Sequence, residues 1–238
     1  MKTVSFSLSI LCLGILIGCS SSTTPQPQTY IGASTTIGSG TANSWVTVDG
    51  SGNMTAIGVT ISDAALASLP AMGMMYEIPM PAGVTTIPYK SISLDYATMD
   101  PAPYNVPHLD AHFYFEDMMA RMNIMQGIDT MMPGGMMLPA GYTRIGECDS
   151  MMGVHYMDTS APEWHKQPFH CAFVYGFAKG TMTFMEAMCD QASLSNHTAL
   201  SGTVKPMMMM SMPMSMPKTY KTSYDATTKT TKIELDGF

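Results

Sequence analysis

The sequence predicts an α+β fold that is mainly antiparallel β, a barrel-like or sandwich sheet with a few short helices. Three observations predict it. Short runs of alternating or β-branched residues recur along the chain. Gly and Pro, 20 and 16 of 238 residues, punctuate those runs. Stretches with helical spacing are few and brief, and no internal repeat is visible.

Taken in order, Ser44 to Asp49 (SWVTVD) alternates, Gly50 to Asn53 turns, and Met54 to Ile61 returns, which is a hairpin signature. Ser62-Asp63 caps a short helix, Ala64 to Leu69, stopped by Pro70. Residues 71–107 are rich in Pro and Gly, with Ile92 to Tyr96 as a strand. Leu109 to Phe115 is the clearest strand of the chain. Asp117 to Met125 (DMMARMNIM) carries apolar residues at helical spacing and predicts an amphipathic helix. Met131 to Tyr142 reads as loop. Gly153 to Met157, His170 to Phe177 and Thr181 to Met185 are three more strands, and Tyr220 to Tyr224 with Thr231 to Leu235 close the chain as a hairpin.

The first residues carry an address. Lys2 precedes an apolar run from Val4 to Ile17, too short to span a bilayer as a helix and ending in Leu16-Ile17-Gly18-Cys19. This reads as a lipobox. Residues 1–18 are then a signal peptide, Cys19 is the lipidated residue, and residues 19–33, with the polar run SSSTTPQPQ, form a linker. Residues 34–238 make one β-rich domain. The expected location is the cell envelope, held to a membrane through the lipid. In a Gram-negative cell Ser20 after the cysteine favours the outer membrane, facing the periplasm or the surface.

Charged residues are 12% of the chain and the formal net charge is -7, so no basic footprint points to nucleic acid. Of five cysteines, Cys12 leaves with the signal and Cys19 is lipidated, which leaves Cys148, Cys171 and Cys189. Three is odd: in an oxidising compartment one pair forms a disulfide, and the sequence does not choose which.

Twenty-eight methionines are several times ordinary usage. They form doublets such as Met118-Met119 and Met131-Met132, for which core filling or an apolar contact surface is the simpler reading. The densest run lies in a loop at 205–217, Met207, Met208, Met209, Met210, Met212, Met214 and Met216, interrupted by Pro213. Proline and the lack of alternation exclude helix and strand there, so the loop is expected to expose its thioethers. Thioether sulfur is a soft neutral donor suited to Cu(I) and Ag(I).

In the strand around residue 110, alternate residues share a face. His108, Asp110, His112, Tyr114 and Glu116 line one side; Leu109, Ala111, Phe113 and Phe115 line the other and belong against a core. Two or three of the polar five can meet at one ion, not all of them. His108, His112 and His155, with Glu186 or Asp110, make an N/O donor set for a first-row transition metal such as Zn, Fe, Mn, Cu(II) or Ni. Asp110 between two histidines also suits an outer role, fixing imidazole tautomers. The alternative is a solvated or hydrogen-bonded polar sheet face with no ion.

Several segments together resemble a poorly characterised bacterial family known from a Thermus protein under an extracytoplasmic sigma/anti-sigma pair. They are Ala42 to Pro70, Val106 to Phe115, Met152 to Asp158, Phe169 to Leu194 and Tyr220 to Phe238. The family pattern Pro-His-Phe-Asp-x-His-Phe-Tyr, Gly-Val-His-Trp and Phe-x-Glu-Pro-Met reads here as PHLDAHFY, GVHY and FMEAM, so His108, Asp110, His112, His155 and Glu186 match. Tyr156 and Ala187 depart from it, and Met99-Asp100-Pro101-Ala102 has no histidine where some members carry one. The resemblance implies no established reaction; it implies self-assembly as a ring-shaped homo-oligomer.

Three functions follow as expectations. The first is a cell-envelope metal-binding protein, handling copper through a His/carboxylate site and the Met-rich loop. The second is a structural or stress-linked oligomeric surface protein without metal, and the third a metalloenzyme with the metal on His108, His112 and His155 and Glu186 as ligand or base. No nucleophile elbow, phosphate loop or paired-Cys zinc spacing appears.

Overall fold

A computed structural model describes residues 26–84, 86–129, 131–134, 138–207 and 216–238. The expected signal peptide, Cys19, and Met208, Met209, Met210, Met212 and Met214 lie outside the described residues.

In chain order the first strands are β1 (Gln28–Ile31), β2 (Thr35–Ile37), β3 (Gly40–Val48), β4 (Met54–Ser62) and β5 (Met74–Ile78). Next come β6 (Ser91–Ala97), β7 (His108–Tyr114), β8 (Tyr142–Asp149), β9 (Gly153–Asp158), β10 (Cys171–Ala178) and β11 (Thr181–Asp190). The last are β12 (Ser201–Thr203), β13 (Thr219–Asp225) and β14 (Thr230–Asp236). They build two antiparallel sheets. One runs β1-β3-β4-β14-β13-β12 with β2 on β3; the other runs β5-β6-β7-β11-β10-β9-β8. Both sheets are open, so of the two expected architectures the sandwich is the one found and the barrel is not.

Period-two patterning explains the packing. Val46, Ile57, Val59, Ile61, Ile233 and Leu235 of the first sheet meet Ile92, Leu94, Leu109, Ala111, Phe113 and Met185 of the second, all buried. Each such large side chain stabilises the fold by roughly 1.5–3 kcal/mol. The apolar face of β7 therefore points where its alternation required. The opposite face of the second sheet holds a smaller apolar cluster, Tyr114, Phe184, Met188, Val174 and Met157, covered by Tyr104 and Phe169 from flanking loops. A 3₁₀ turn, Pro162–His165, adds Trp164, whose indole N–H donates to the Tyr104 hydroxyl at 3.0 Å.

Several boundaries differ from the sequence expectation. Gln28–Ile31, inside the segment read as linker, pairs with β3 from Gln28↔Val48 to Ile31↔Trp45. The first helix, α1 (Asp63–Leu66), is capped by Ser62, whose side chain accepts from the Ala65 N–H. The second, α2 (Met118–Arg121), is capped by Asp117 and is shorter than the expected Asp117 to Met125. Beyond it the Asn123 side chain donates to the Met119 carbonyl, and the backbone tightens to turn-type bonds, Asn123 N–H to the Ala120 carbonyl and Ile124 N–H to the Arg121 carbonyl. A third helix, α3 (Gln191–Ser195), and the strands β2, β5, β8 and β12 carry no signal strong enough to read. Cys171 and Cys189, opposite one another on β10 and β11, form a disulfide; Cys148 is free and buried. The exposed-thioether expectation is corrected at two positions: Met207 is buried in the core and Met216 packs partly buried against it.

Candidate metal centre

Antiparallel register brings the site together. On β7 and β11, His112 and Glu186 are directly opposed, and Ser93 of β6 opposes His112 from the other side. His155 comes from β9, beyond β10, so two interstrand spacings of about 4.8 Å separate its strand from β11. Gly176 of β10, opposite both His155 and Phe184, makes that reach feasible. A Cβ there would collide with the Phe184 ring, which instead lies close to the His155 and His112 rings, at centroid distances of 5.0 and 4.8 Å. Gly153, at φ +124 where other residues are strained, starts β9 and sets where His155 emerges.

The outcome is a convergent trio. His112, His155 and Glu186 each offer one ligand atom, and these atoms lie within 4.8 Å of one another. His112 Nε2 is 3.3 Å and His155 Nε2 is 3.7 Å from the same oxygen, Glu186 Oε2. Donors about 2.1 Å from a tetrahedral ion sit roughly 3.4 Å apart, so the spacing fits one ion better than a set of direct hydrogen bonds. His112 Nε2 and Glu186 Oε2 are buried with no aligned hydrogen-bond partner. Left so, each would cost about 1–3 kcal/mol.

Carboxylates stand behind both imidazoles. His112 Nδ1 faces Asp95 Oδ2 at 3.0 Å, and His155 Nδ1 faces Asp149 Oδ2 at 3.2 Å. Neither contact is an aligned hydrogen bond, so each acts mainly through charge. A carboxylate behind Nδ1 favours the tautomer that leaves the Nε2 lone pair toward the shared glutamate. Tyr114 stacks on the His112 ring at 5.5 Å, and the Arg121 guanidinium lies 3.5 Å over Tyr114. Among the described residues no lysine or arginine pairs with Asp95, Asp110 or Glu186; Arg121 is engaged by Glu77 at 3.0 Å.

Burial and charge pull the titrating groups apart. Burial, the largest influence on His112, opposes its charged form, yet Tyr114, Glu186 and Asp95 outweigh it and hold the imidazole well above the ordinary range. Burial likewise pushes Glu186 up, but the neighbouring His112, His155 and His108 bring it below its usual value. Asp110 is lifted well above the carboxylate range, by burial first and by the Glu186 charge second. A cation among these groups would take over the neutralising role that protons play without it.

His108 and Asp110 stay outside the trio. His108 Nδ1 lies 2.6 Å from the Val106 carbonyl, and its Nε2 is 3.4 Å from Asp100 and 3.6 Å from Asp110. Burial opposes its charge most, but Asp100 and Asp110 raise it to about 9. Thus Met99 to Ala102, with no histidine, supplies a carboxylate to the neighbouring cluster. The polar face of β7 is nowhere a solvated sheet face: His108, Asp110, His112 and Tyr114 are all buried. Within the trio, His155 is the member nearest solvent, at 15% side-chain exposure against 2% for the other two.

Residues 49–96 match the family described as TTHB210-like, hypothetical protein TTHB210. The chain resembles that uncharacterised family. No curated protein and no solved structure matches the chain. The TTHB210-like match spans β4 to β6, and so includes Asp95 and Ser93, while His112, His155 and Glu186 lie beyond it.

Sequence reasoning missed Asp95 and Asp149. Ser91, Ser93 and Asp95 alternate along β6 and, once β6 is laid antiparallel to β7, fall on the His112 face, a signal that was present. Asp149 had none, because β8 shows no apolar alternation.

Proposed function

We infer that this chain is a metal-binding protein of the cell envelope, tethered through lipid on Cys19, with His112, His155 and Glu186 as ligands of a borderline divalent cation. One observation carries the metal reading: two imidazoles turn Nε2 toward one buried carboxylate oxygen while each Nδ1 has a carboxylate behind it. That is the donor pattern by which proteins orient histidine ligands. Two imidazoles and one carboxylate suit Zn, Fe, Mn, Cu(II) or Ni rather than Mg or Ca. The near-complete burial of His112 and Glu186 favours holding a metal over turning over a substrate. Handling of Cu(I) through the other methionines of the loop at 205–217, Met208, Met209, Met210, Met212 and Met214, rests on donor chemistry and composition. The lipid anchor rests on the signal-like residues 1–18 and the tether after Cys19.

Titration with Co(II) as a chromophoric probe tests the centre. The parent should show intense d–d bands of a low-symmetry site, and His155→Ala and Glu186→Gln should lose them with unchanged far-UV circular dichroism. Bands that survive both substitutions would place the metal elsewhere. Radiolabelled palmitate should enter the chain in a bacterial host and fail to enter Cys19→Ala.

A further inference from the structure

The second helix presents chemistry that the His/Glu centre does not use. α2 is pinned to the body by Arg121, which is fully buried: its guanidinium lies over Tyr114, its Nη1 pairs with Glu77 and its Nε donates to the Met151 carbonyl at 3.1 Å. Helix-type bonds continue past α2, with Met122 N–H donating to the Met118 carbonyl at 3.0 Å and Ile124 N–H to the Arg121 carbonyl at 2.9 Å. Arg121 and the buried Ile124, three residues apart, define the inward side of this short turn. Met118, Met119 and Met122 then fall on the outward arc, with Met122 four residues after Met118 and three after Met119. Exposure agrees: Met119 and Met122 are 72% and 58% accessible, Met118 is 36% and Met125, just beyond, is 74%.

Core filling is therefore excluded for these methionines. Residues at such spacings have Cβ atoms about 5–6 Å apart, and a thioether's three rotatable bonds let neighbouring sulfurs converge on one ion. Local charge helps a cation. Asp117 caps the helix with Glu116 just before it, and both Asp129 and Lys179 line an adjoining cavity of about 480 Å³ that Met125 also lines. The nearby Arg121 charge is buried and paired, so the carboxylates around the thioethers outnumber the free cations. We propose that Met118, Met119 and Met122 form a three-thioether site for a soft monovalent cation, Cu(I) or Ag(I), with Met125 within reach as a fourth donor. Thioethers carry no proton to lose, so this site binds independently of pH, unlike an imidazole/carboxylate centre. It stands independently of the His/Glu reading.

The test is Ag(I) titration of the full chain labelled with ¹³C at the methionine methyls, assigned by single Met→Leu variants. The methyl signals of Met118, Met119 and Met122 should move together, saturate at about one ion, and do so equally at about pH 5 and in His155→Ala. The triple variant Met118→Leu/Met119→Leu/Met122→Leu, which keeps volume at exposed positions, should lose that event and keep the parent's melting temperature. The proposal is overturned if these three methyls stay still, if they move only after the other methionines saturate, or if the triple variant binds the first ion as the parent does.

Discussion

Replacing the carboxylate behind each imidazole gives a graded test of how the centre is oriented. Asp95→Asn and Asp149→Asn keep the side-chain shape and remove the charge facing His112 Nδ1 and His155 Nδ1. Loss of such an outer partner typically weakens metal binding about 10–100-fold, or roughly 1.4–2.7 kcal/mol. The structure decides where each variant falls in that range. The Asp95 side chain is 11% exposed and 3.0 Å from its imidazole, whereas Asp149 is 55% exposed at 3.2 Å and screened by water. Asp95→Asn should therefore approach the 100-fold end and Asp149→Asn the tenfold end. Competition for Zn(II) against a chromophoric chelator measures both. If the parent binds and both variants stay within about twofold of it, the carboxylates do not orient the ligands and the reasoning fails.

Three other outcomes follow from the geometry. Gly176→Ala forces the Phe184 ring off β10, toward the His112 and His155 rings it already approaches; it should cost about 1–3 kcal/mol by chemical denaturation and weaken Zn(II) binding as well. In metal-free protein His108, raised from 6.5 to about 9, contributes stability that is full below 6.5 and is lost as pH rises through 9, up to roughly 3 kcal/mol. Urea melts across that interval should show the decline in the parent and a flatter profile in His108→Asn. Joint replacement of Cys171 and Cys189 by Ala opens a loop with a sequence separation of 18 and should lower stability by about 3 kcal/mol, with Cys148 unable to substitute.

Much of the fold was legible wherever patterning is local. The alternation of β7 identified its apolar face, and the β3/β4 and β13/β14 hairpins fell close to their sequence bounds because turn residues separate them. β1 was read as tether because Thr and Gln without a buried face look the same in a linker and in an edge strand. At the site, His112, His155 and Glu186 were all named from sequence, together with His108 and Asp110. What could not be read was the division between them. It depends on antiparallel register, which opposes His112 to Glu186 and leaves His108 opposite Asp190. Burial of the polar face was equally hidden, since Tyr104, Trp164 and Phe169, which cover it, lie in distant loops. Of the two readings for the Met118-Met119 doublet, core filling and an apolar contact surface, the structure excludes the first: helical spacing marks a stripe, but only the inward anchor Arg121 shows that α2 turns its thioethers outward.

The account rests most on a metal at the two imidazoles and the shared glutamate, and element analysis of protein purified without added metal addresses it directly. About one first-row divalent ion per chain, lost in both His155→Ala and Glu186→Gln with the fold intact, is the expected result. A well-folded parent that carries no metal and takes none up from Zn, Fe, Mn, Cu(II) or Ni solutions would contradict it.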